Sequence, residues 1–422
     1  MTAANVSNYV ETLRRRYPNG IANVTIAKSK ALETLTRNTD FGGEGGYVAW
    51  QFANPAGVGA NFTNARANVN PSQFLRPFVT RKKYYVVGQV DGELLKASEG
   101  KSNAIVKAFE REVESATRRL AQRLSAWYYG NGGGSLGKGA SLTSATDLLL
   151  ARPDDHVNFY VGDPVSTNVT DGTSGSATAT NGYIASVMRD GPTKGTLQVT
   201  ATRGSAAANW ATVFAGFAAT DYLFGDYGDF GAVPAGVGVS AASTSKKGWT
   251  PNTAPTSGDS WFGVDRSADP TMNAGQRYLG NGQDFGDSII DAVNQAIGAG
   301  GDPKTVKMHH LDLSTFEKSR QSRTMIVDSK GDLGLPFKGV PLMGPNGPLA
   351  LIGDPYCPRG KFVVTQDDTW EMVSAGEFPT FLTYGITGNM LTVNDADAVE
   401  FRIGGYGNFT CDAPAFSVNG TF

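Results

Sequence analysis

The chain is poor in the residues that mark most enzymes, secreted proteins and membrane proteins. It has two cysteines, Cys357 and Cys411, in 422 residues. They form no close motif, which argues against a disulfide framework and for synthesis in a reducing compartment. Histidine occurs three times, with no HExxH or HxH spacing to hold a metal. No run approaches the roughly 18 apolar residues of a membrane-crossing helix. Arg14-Arg15-Arg16 is followed by Tyr17-Pro18-Asn19-Gly20, not by an apolar segment, so no signal peptide is expected. The six Asn-x-Ser/Thr sequons then read as chance matches. Charged residues make up 18%, below the usual share. Glycine is in excess at 53 residues, which points to strands, turns and loops and away from a helical bundle.

Two adjacent segments carry the strongest patterns. Residues 78–95 (FVTRKKYYVVGQVDGELL) read as two β-rich runs, with Gly88 and Asp91-Gly92 as turn signals, and so as a hairpin arm. Beyond Gly100, apolar residues fall at Ile105, Phe109, Val113, Ala116, Leu120, Leu124 and Trp127. Steps of three and four predict one helix over 102–128, roughly 40 Å long at about 1.5 Å per residue. Charge is also uneven. Residues 1–130 hold 18 basic and 10 acidic residues, and the remainder 19 and 29. Opposite-sign halves suit an arm that lies on a neighbour's body, although charge also drifts by chance along a long chain.

Elsewhere, residues 1–65 are polar and rich in Gly, Asn and Ala, as in an arm that orders on partners. Residues 157–230 lose helical periodicity and alternate strand-like runs with turns, the mark of an inserted β module. A helix is expected over 285–297, a buried strand over 305–308, and a helix over 313–320 with Asp312 at its N-cap. Further strands are expected over 362–365, 370–373 and 398–403.

Candidate chemistry is thin. Residues 132–139 (GGGSLGKG) fit most of a P-loop, but Gly139 replaces the Mg²⁺-binding hydroxyl and a helix precedes the motif, so a flexible linker is the expectation. His309-His310 with Asp312 lacks ligand spacing, and neighbouring residues on a strand point to opposite faces. Asp154-Asp155, Asp367-Asp368 and Asp395/Asp397 sit among turn-forming residues. No GxSxG elbow is present. Two basic clusters, Arg14-Arg15-Arg16 and Arg81-Lys82-Lys83, could meet phosphates, acidic protein surface or solvent.

The order of parts resembles the major capsid protein of tailed bacteriophages with the Hong Kong 97-type fold. Two stretches add to the resemblance: WFGVDRSADPT at 261–271, and AVEFRIGGYGN at 398–408 leading to Cys411-Asp412-Ala413-Pro414. The resemblance implies an α+β fold with an N-terminal arm at 1–65, an extended loop at 66–100, and a spine helix with a peripheral-domain segment at 101–151. An inserted β module at 152–240, and an axial domain with the remaining peripheral strands at 241–422, would follow. It implies a non-enzymatic coat protein without cofactors or metal, assembling as hexamers and pentamers into an icosahedral shell around double-stranded DNA. Such a protein is found in the virion and assembled in the host bacterial cytoplasm. Its expected partners are further copies, portal, scaffold or decoration proteins and packaged DNA, with no membrane. Inter-subunit contacts would then come from Arg76, Arg81, Lys82, Lys83, Tyr84 and Tyr85 in the loop and from Glu110, Glu114 and Arg118 on the helix. Arg14, Arg15 and Arg16 would face the genome. Some members crosslink a loop lysine to a neighbour's asparagine; Lys82, Lys83 and Lys96 are present, but no matching asparagine and glutamate is identified. No fused scaffold segment is expected. An encapsulin-type shell around protein cargo and a soluble nucleotide-binding enzyme are the alternatives.

Overall fold

The structure, a computed structural model, describes residues 30–92, 102–239, 248–323, 342–382, 391–393 and 397–422, with no side-chain description at 30, 102–111 and 320–323. It is a mixed α+β chain organised around one long strand, Ala398–Cys411. One side of that strand pairs antiparallel with Lys82–Asp91 along ten residues, from Ala398 opposite Asp91 to Gly407 opposite Lys82. The other side takes Trp370–Ser374, Thr380–Phe381 and Leu391–Thr392 in turn. Thr36–Asn38 adds to the free edge of Trp370–Ser374 in parallel.

Lys82–Asp91 is thus one continuous strand, not a hairpin turning at Gly88. Its burial alternates strictly, as a half-buried strand requires. Gly88 is there for packing. A Cβ at this position would overlap the ring of Phe401, which is buried on the inner face. Gly88→Ala should cost about 1–3 kcal/mol, the usual penalty for overfilling a packed core. Urea unfolding checks this, and an unchanged midpoint would refute the packing role. Ala31, Leu32 and Leu35 are buried in the same core, so the segment just before Thr36–Asn38 is anchored within the chain itself. The expectation that all of 1–65 waits for partners fails there.

The predicted helix is present over Ser102–Tyr128. It crosses the inner face of this sheet, with Tyr84 edge-on to Trp127 at 4.4 Å. Val113, Leu120 and Leu124 form its buried stripe, and by Trp127 and Tyr128 the whole circumference is enclosed. A helix end buried this way must find partners for its last carbonyls. Residues 237 and 238 supply them: Val237 N–H donates to the Tyr128 carbonyl (2.7 Å) and Gly238 N–H to that of Gly130 (2.8 Å).

A second sheet runs Gln276–Leu279, Val418–Thr421, Lys361–Thr365, Thr305–Met308, Gly347–Gly353, Leu342–Gly344. The amphipathic helix Phe285–Gly298 covers it through Ile289, Val293 and Ala296. The helix expected over 313–320 spans His310–Arg323, so Asp312 lies in its first turn and is not its cap. His309 takes the capping role, its Nδ1 accepting from the Leu311 N–H (3.2 Å). The two histidine rings lie 4.3 Å apart, so they do not point to opposite faces, because the strand has already ended at Met308. The motif at 261–271 also has a structural basis. Arg266 is fully buried, donating to the Gly248 carbonyl (2.6 Å) and to both oxygens of Asp259.

Between the long helix and the second sheet, six strands close into a barrel. They are Ser135–Leu142, Leu148–Leu150, Pro164–Asn168, Gly182–Val187, Thr196–Thr200 and Tyr222–Phe224. The β module therefore starts before residue 152. Residues 132–139 form no flexible linker either: Gly133 and Gly172 cross backbone to backbone with no room for a Cβ, and a barrel strand follows where a P-loop needs a helix. Trp210, Phe214 and Phe217 stack against the barrel interior, and the Trp210 indole donates to the Thr146 carbonyl (3.0 Å). That interior is continuous with the core beneath the long helix.

Charge also fastens the barrel. Arg119 and Arg123 of the helix face Asp163, Arg119 in direct contact and Arg123 at 3.8 Å, and the Arg119 guanidinium lies over the Tyr160 ring (4.7 Å). Asp229, just past the barrel, sits near Arg123, Asp226, Arg119 and the Tyr84 phenol. Burial pushes its carboxyl up from 3.8 to about 6, against the pull of Arg123. The folded state then holds this proton more tightly than the unfolded chain. The stabilisation is complete below about pH 4 and is lost as pH rises through about 6. Asp229→Asn should flatten the fall in melting temperature over that window; an unchanged pH profile would exclude Asp229 as its source.

Candidate assembly surface

The feature that reaches away from the body is a two-stranded ribbon over 45–80. Gly45–Tyr47 pairs with Phe78–Thr80, and Trp50–Ala53 pairs with Gln73–Leu75. Its root is fixed. Trp50 is buried edge-on against Trp249 at 5.0 Å, and its indole donates to the Cys411 carbonyl (3.1 Å). Phe78 N–H donates to the Phe262 carbonyl (3.0 Å), and Val79 is buried.

The tip, 54–72, is the opposite. Its helix Phe62–Ala67 is capped by Asn61, whose side chain accepts from the Thr63 N–H (2.9 Å), yet none of its residues is buried. Val58 is 81% exposed, Phe62 79% and Val69 69%, with Tyr47 and Phe74 exposed along the shaft. Burying any one of these apolar side chains fully is worth about 1.5–3 kcal/mol. The only charged residues between 45 and 80 are Arg66 and Arg76. The ribbon is therefore an apolar, acid-free projection on a chain of net charge -2.

The sequence-derived contact residues divide by position. Arg76 is exposed on the ribbon. Arg81 donates to the Phe41 carbonyl (3.3 Å) and Lys82 to that of Gly231 (3.1 Å), so both are tied within their own subunit. Burial lowers the Lys82 pKa and pushes the Tyr84 phenol up to about 12, because Tyr84 packs on Trp127. Lys83 and Tyr85 lie on the outer face of the sheet, Tyr85 edge-on to Tyr406 at 6.2 Å. Glu114 and Arg118 pair one turn apart on the exposed side of the helix. The Glu110 side chain, Lys96 and Arg14, Arg15 and Arg16 lie outside the described residues. The ribbon tip was missed because its strands are short and its glycines and prolines read as loop. The signal was the absence of acidic residues through an apolar stretch.

The other polar clusters are paired within the chain. A groove of about 380 Å³ between barrel and second sheet holds Asp154, paired with Lys194 and Arg359 (3.2 Å), and Asp312, paired with Arg359 (3.5 Å). Asp367 does not merely cap a turn. It receives the fully buried Lys307 ammonium at 2.9 Å. Burial pushes the Asp155 carboxyl up to about 7, with Arg152 opposing. Among the described residues no group of three His, Cys, Asp or Glu side chains is placed to hold a metal ion, and no helix is long and apolar enough to cross a membrane.

No family model and no curated protein sequence matches this chain. The solved structures it is similar to include phage capsid proteins. One is from the capsid asymmetric unit of cyanophage A-1(L), 12% identical over 91% of this chain and 89% of that one, with a TM-score of 0.45. A chain from the capsid of an empty GTA particle is 9% identical over 94% and 96%, with a TM-score of 0.44. A chain from the procapsid of satellite phage P4 is 11% identical over 95% and 89%, with a TM-score of 0.41. At these TM-scores the likeness by itself decides nothing about function.

Proposed function

We propose that this chain is the repeating coat subunit of a tailed-phage head, closing into a shell of hexamers and pentamers around double-stranded DNA. One observation carries the reading: a ribbon rooted by a buried tryptophan ends in a capped helix that buries nothing in its own subunit. Ordering such a tip has an entropic cost that only a surface outside the subunit can offset. Repeating one such contact around closed symmetry builds a shell. The ribbon serves as the extended loop, the Ser102–Tyr128 helix as the spine, the sheet on Ala398–Cys411 as the peripheral layer, and the sheet on Thr305–Met308 as the axial layer. Lys83 and Tyr85, exposed on the outer sheet face, are added contacts, and Arg14, Arg15 and Arg16 face the packaged DNA. Portal, scaffold and decoration proteins are the further partners of such a shell, assembled in the bacterial cytoplasm. The protein has no enzymatic role in this reading.

Negative-stain imaging and light scattering of the purified protein, with phage assembly factors supplied, test it. Hollow particles are expected, and nucleic acid in particles from infected cells distinguishes a phage head from a compartment for protein cargo. A folded protein that stays monomeric or dimeric throughout would sink the proposal.

A further inference from the structure

The sheet around Ala398–Cys411 ends on Lys82–Asp91, which pairs with no other described strand. At ten residues this is a long edge. The edge strands Thr36–Asn38, Leu342–Gly344 and Gln276–Leu279 are three or four residues long. Natural edges are blunted by proline, by a bulge or by charge along the strand. Here the sequence has no proline, the register runs without a shift, and charge stands only at the two ends, Lys82 and Lys83 against Asp91. Between them lie Tyr84, Tyr85, Val86, Val87 and Val90, all strand formers.

Neighbouring hydrogen bonds fix the direction of the backbone groups. Gly92 N–H, one step past the strand, donates to the Asp397 carbonyl (2.7 Å). On the central strand, the Arg402 and Tyr406 carbonyls are taken from the opposite side, by the N–H groups of Leu382 (3.0 Å) and Ala375 (2.9 Å). The even-numbered residues of Lys82–Asp91 therefore bond the central strand. Residues 83, 85, 87, 89 and 91 turn their N–H and C=O groups to the outer edge. Their side chains are the exposed ones, Tyr85 at 45% and Val87 at 53%.

This edge is complementary to itself. Two copies related by a two-fold axis through Val87 would pair antiparallel, with Val87 opposite its own counterpart. Tyr85 then faces Gln89 of the second copy, and Lys83 faces Asp91, so opposite charges meet at both ends. Every one of these residues turns its backbone groups to the edge, so the ladder closes without a bulge. A slip by one residue would set edge-facing groups against groups already bonded in their own sheet, and a slip by two would separate Lys83 from Asp91. We propose that Lys82–Asp91 pairs with the same strand of a second copy, joining two sheets into one across a two-fold axis. Such an isologous contact uses one patch twice. Its placement between neighbouring capsomers rests on the head reading above; the pairing itself does not.

Cysteine variants of the full chain test the register, because Cys357 and Cys411 are buried. Under mild oxidation Val87→Cys should give a covalent dimer. Facing Cα atoms of a bonded pair lie about 5.5 Å apart, within the disulfide range of about 4.4–6.8 Å. Tyr85→Cys and Gln89→Cys should each fail alone and link when one chain carries both. Val87→Pro should leave the melting temperature almost unchanged, because edge strands tolerate proline where the N–H faces away from the sheet. It should nevertheless raise the concentration needed for pairing by about tenfold, read by light scattering. Lys83→Asp and Asp91→Lys should each weaken pairing, and together restore it. No covalent dimer from Val87→Cys, or equal yields from Val87→Cys and Tyr85→Cys, would overturn the proposal. Charge reversals that do not rescue each other would overturn this register as well. A chain that links through Val87→Cys but forms no particles would sink the head reading and leave the pairing standing.

Discussion

Replacing residues 54–72 with a short Gly/Ser turn should abolish the proposed particle formation while leaving the isolated chain's melting temperature almost unchanged. The tip helix buries no residue in its own subunit, so its removal takes nothing from the core. Changes at such surface sites usually stay within about 0.5 kcal/mol, and shortening a loop alters closure entropy only slowly. Between subunits the balance reverses. Val58, Phe62 and Val69 each offer about 1.5–3 kcal/mol on full burial, and the loss recurs at every copy. The single change Phe62→Ser should therefore raise the concentration needed for assembly by about tenfold or more, since 1.4 kcal/mol is a factor of ten. Light scattering against concentration measures it. Normal particles from the tip deletion would show that the ribbon is not an assembly element.

The second large effect is internal. Asp367→Ala should destabilise the fold by about 3–5 kcal/mol, the cost of leaving one member of a buried ion pair without its partner. Lys307 is fully buried, and burial already lowers its pKa against the pull of Asp367. Its other partner is the Tyr128 hydroxyl at 3.0 Å, which cannot neutralise an ammonium. Lys307→Met should cost less than half as much. It removes the charge with its cavity filled, and Asp367 keeps the hydroxyls of Thr305 (2.5 Å) and Thr365 (2.9 Å). Urea unfolding with a constant slope separates the two. Equal losses from both variants would mean that the pair acts through packing alone.

The elements legible in the sequence are those that local spacing specifies. The Ser102–Tyr128 helix follows from apolar steps of three and four, and Thr305–Met308 from a short apolar run between breaks. The segment 82–91 was misjudged because its partner strand lies roughly three hundred residues further on, and only Phe401 shows why position 88 must be glycine. Likewise, the glycines at 132–139 look like slack in the sequence, yet Gly133 and Gly139 sit where another backbone crosses too closely for a Cβ. Of the expected contact residues, Lys83, Tyr85 and Arg118 are exposed beside predicted elements, and Glu114 pairs with Arg118. The ribbon tip escaped because an element that packs on nothing within its subunit leaves no periodicity to read.

Residues 398–421 supply the central strand of one sheet and an inner strand of the other. A growing chain that has not yet added them has Lys82–Asp91 and Lys361–Thr365 each missing a neighbour, so neither sheet can close. Contacts this distant in sequence are slow to form and leave edges open meanwhile. The ribbon's root waits as well, since Trp50 donates to Cys411 in that same stretch. A half-made subunit therefore cannot present a seated ribbon to its neighbours. In the proposed shell, the order of synthesis would delay association until each copy has finished folding.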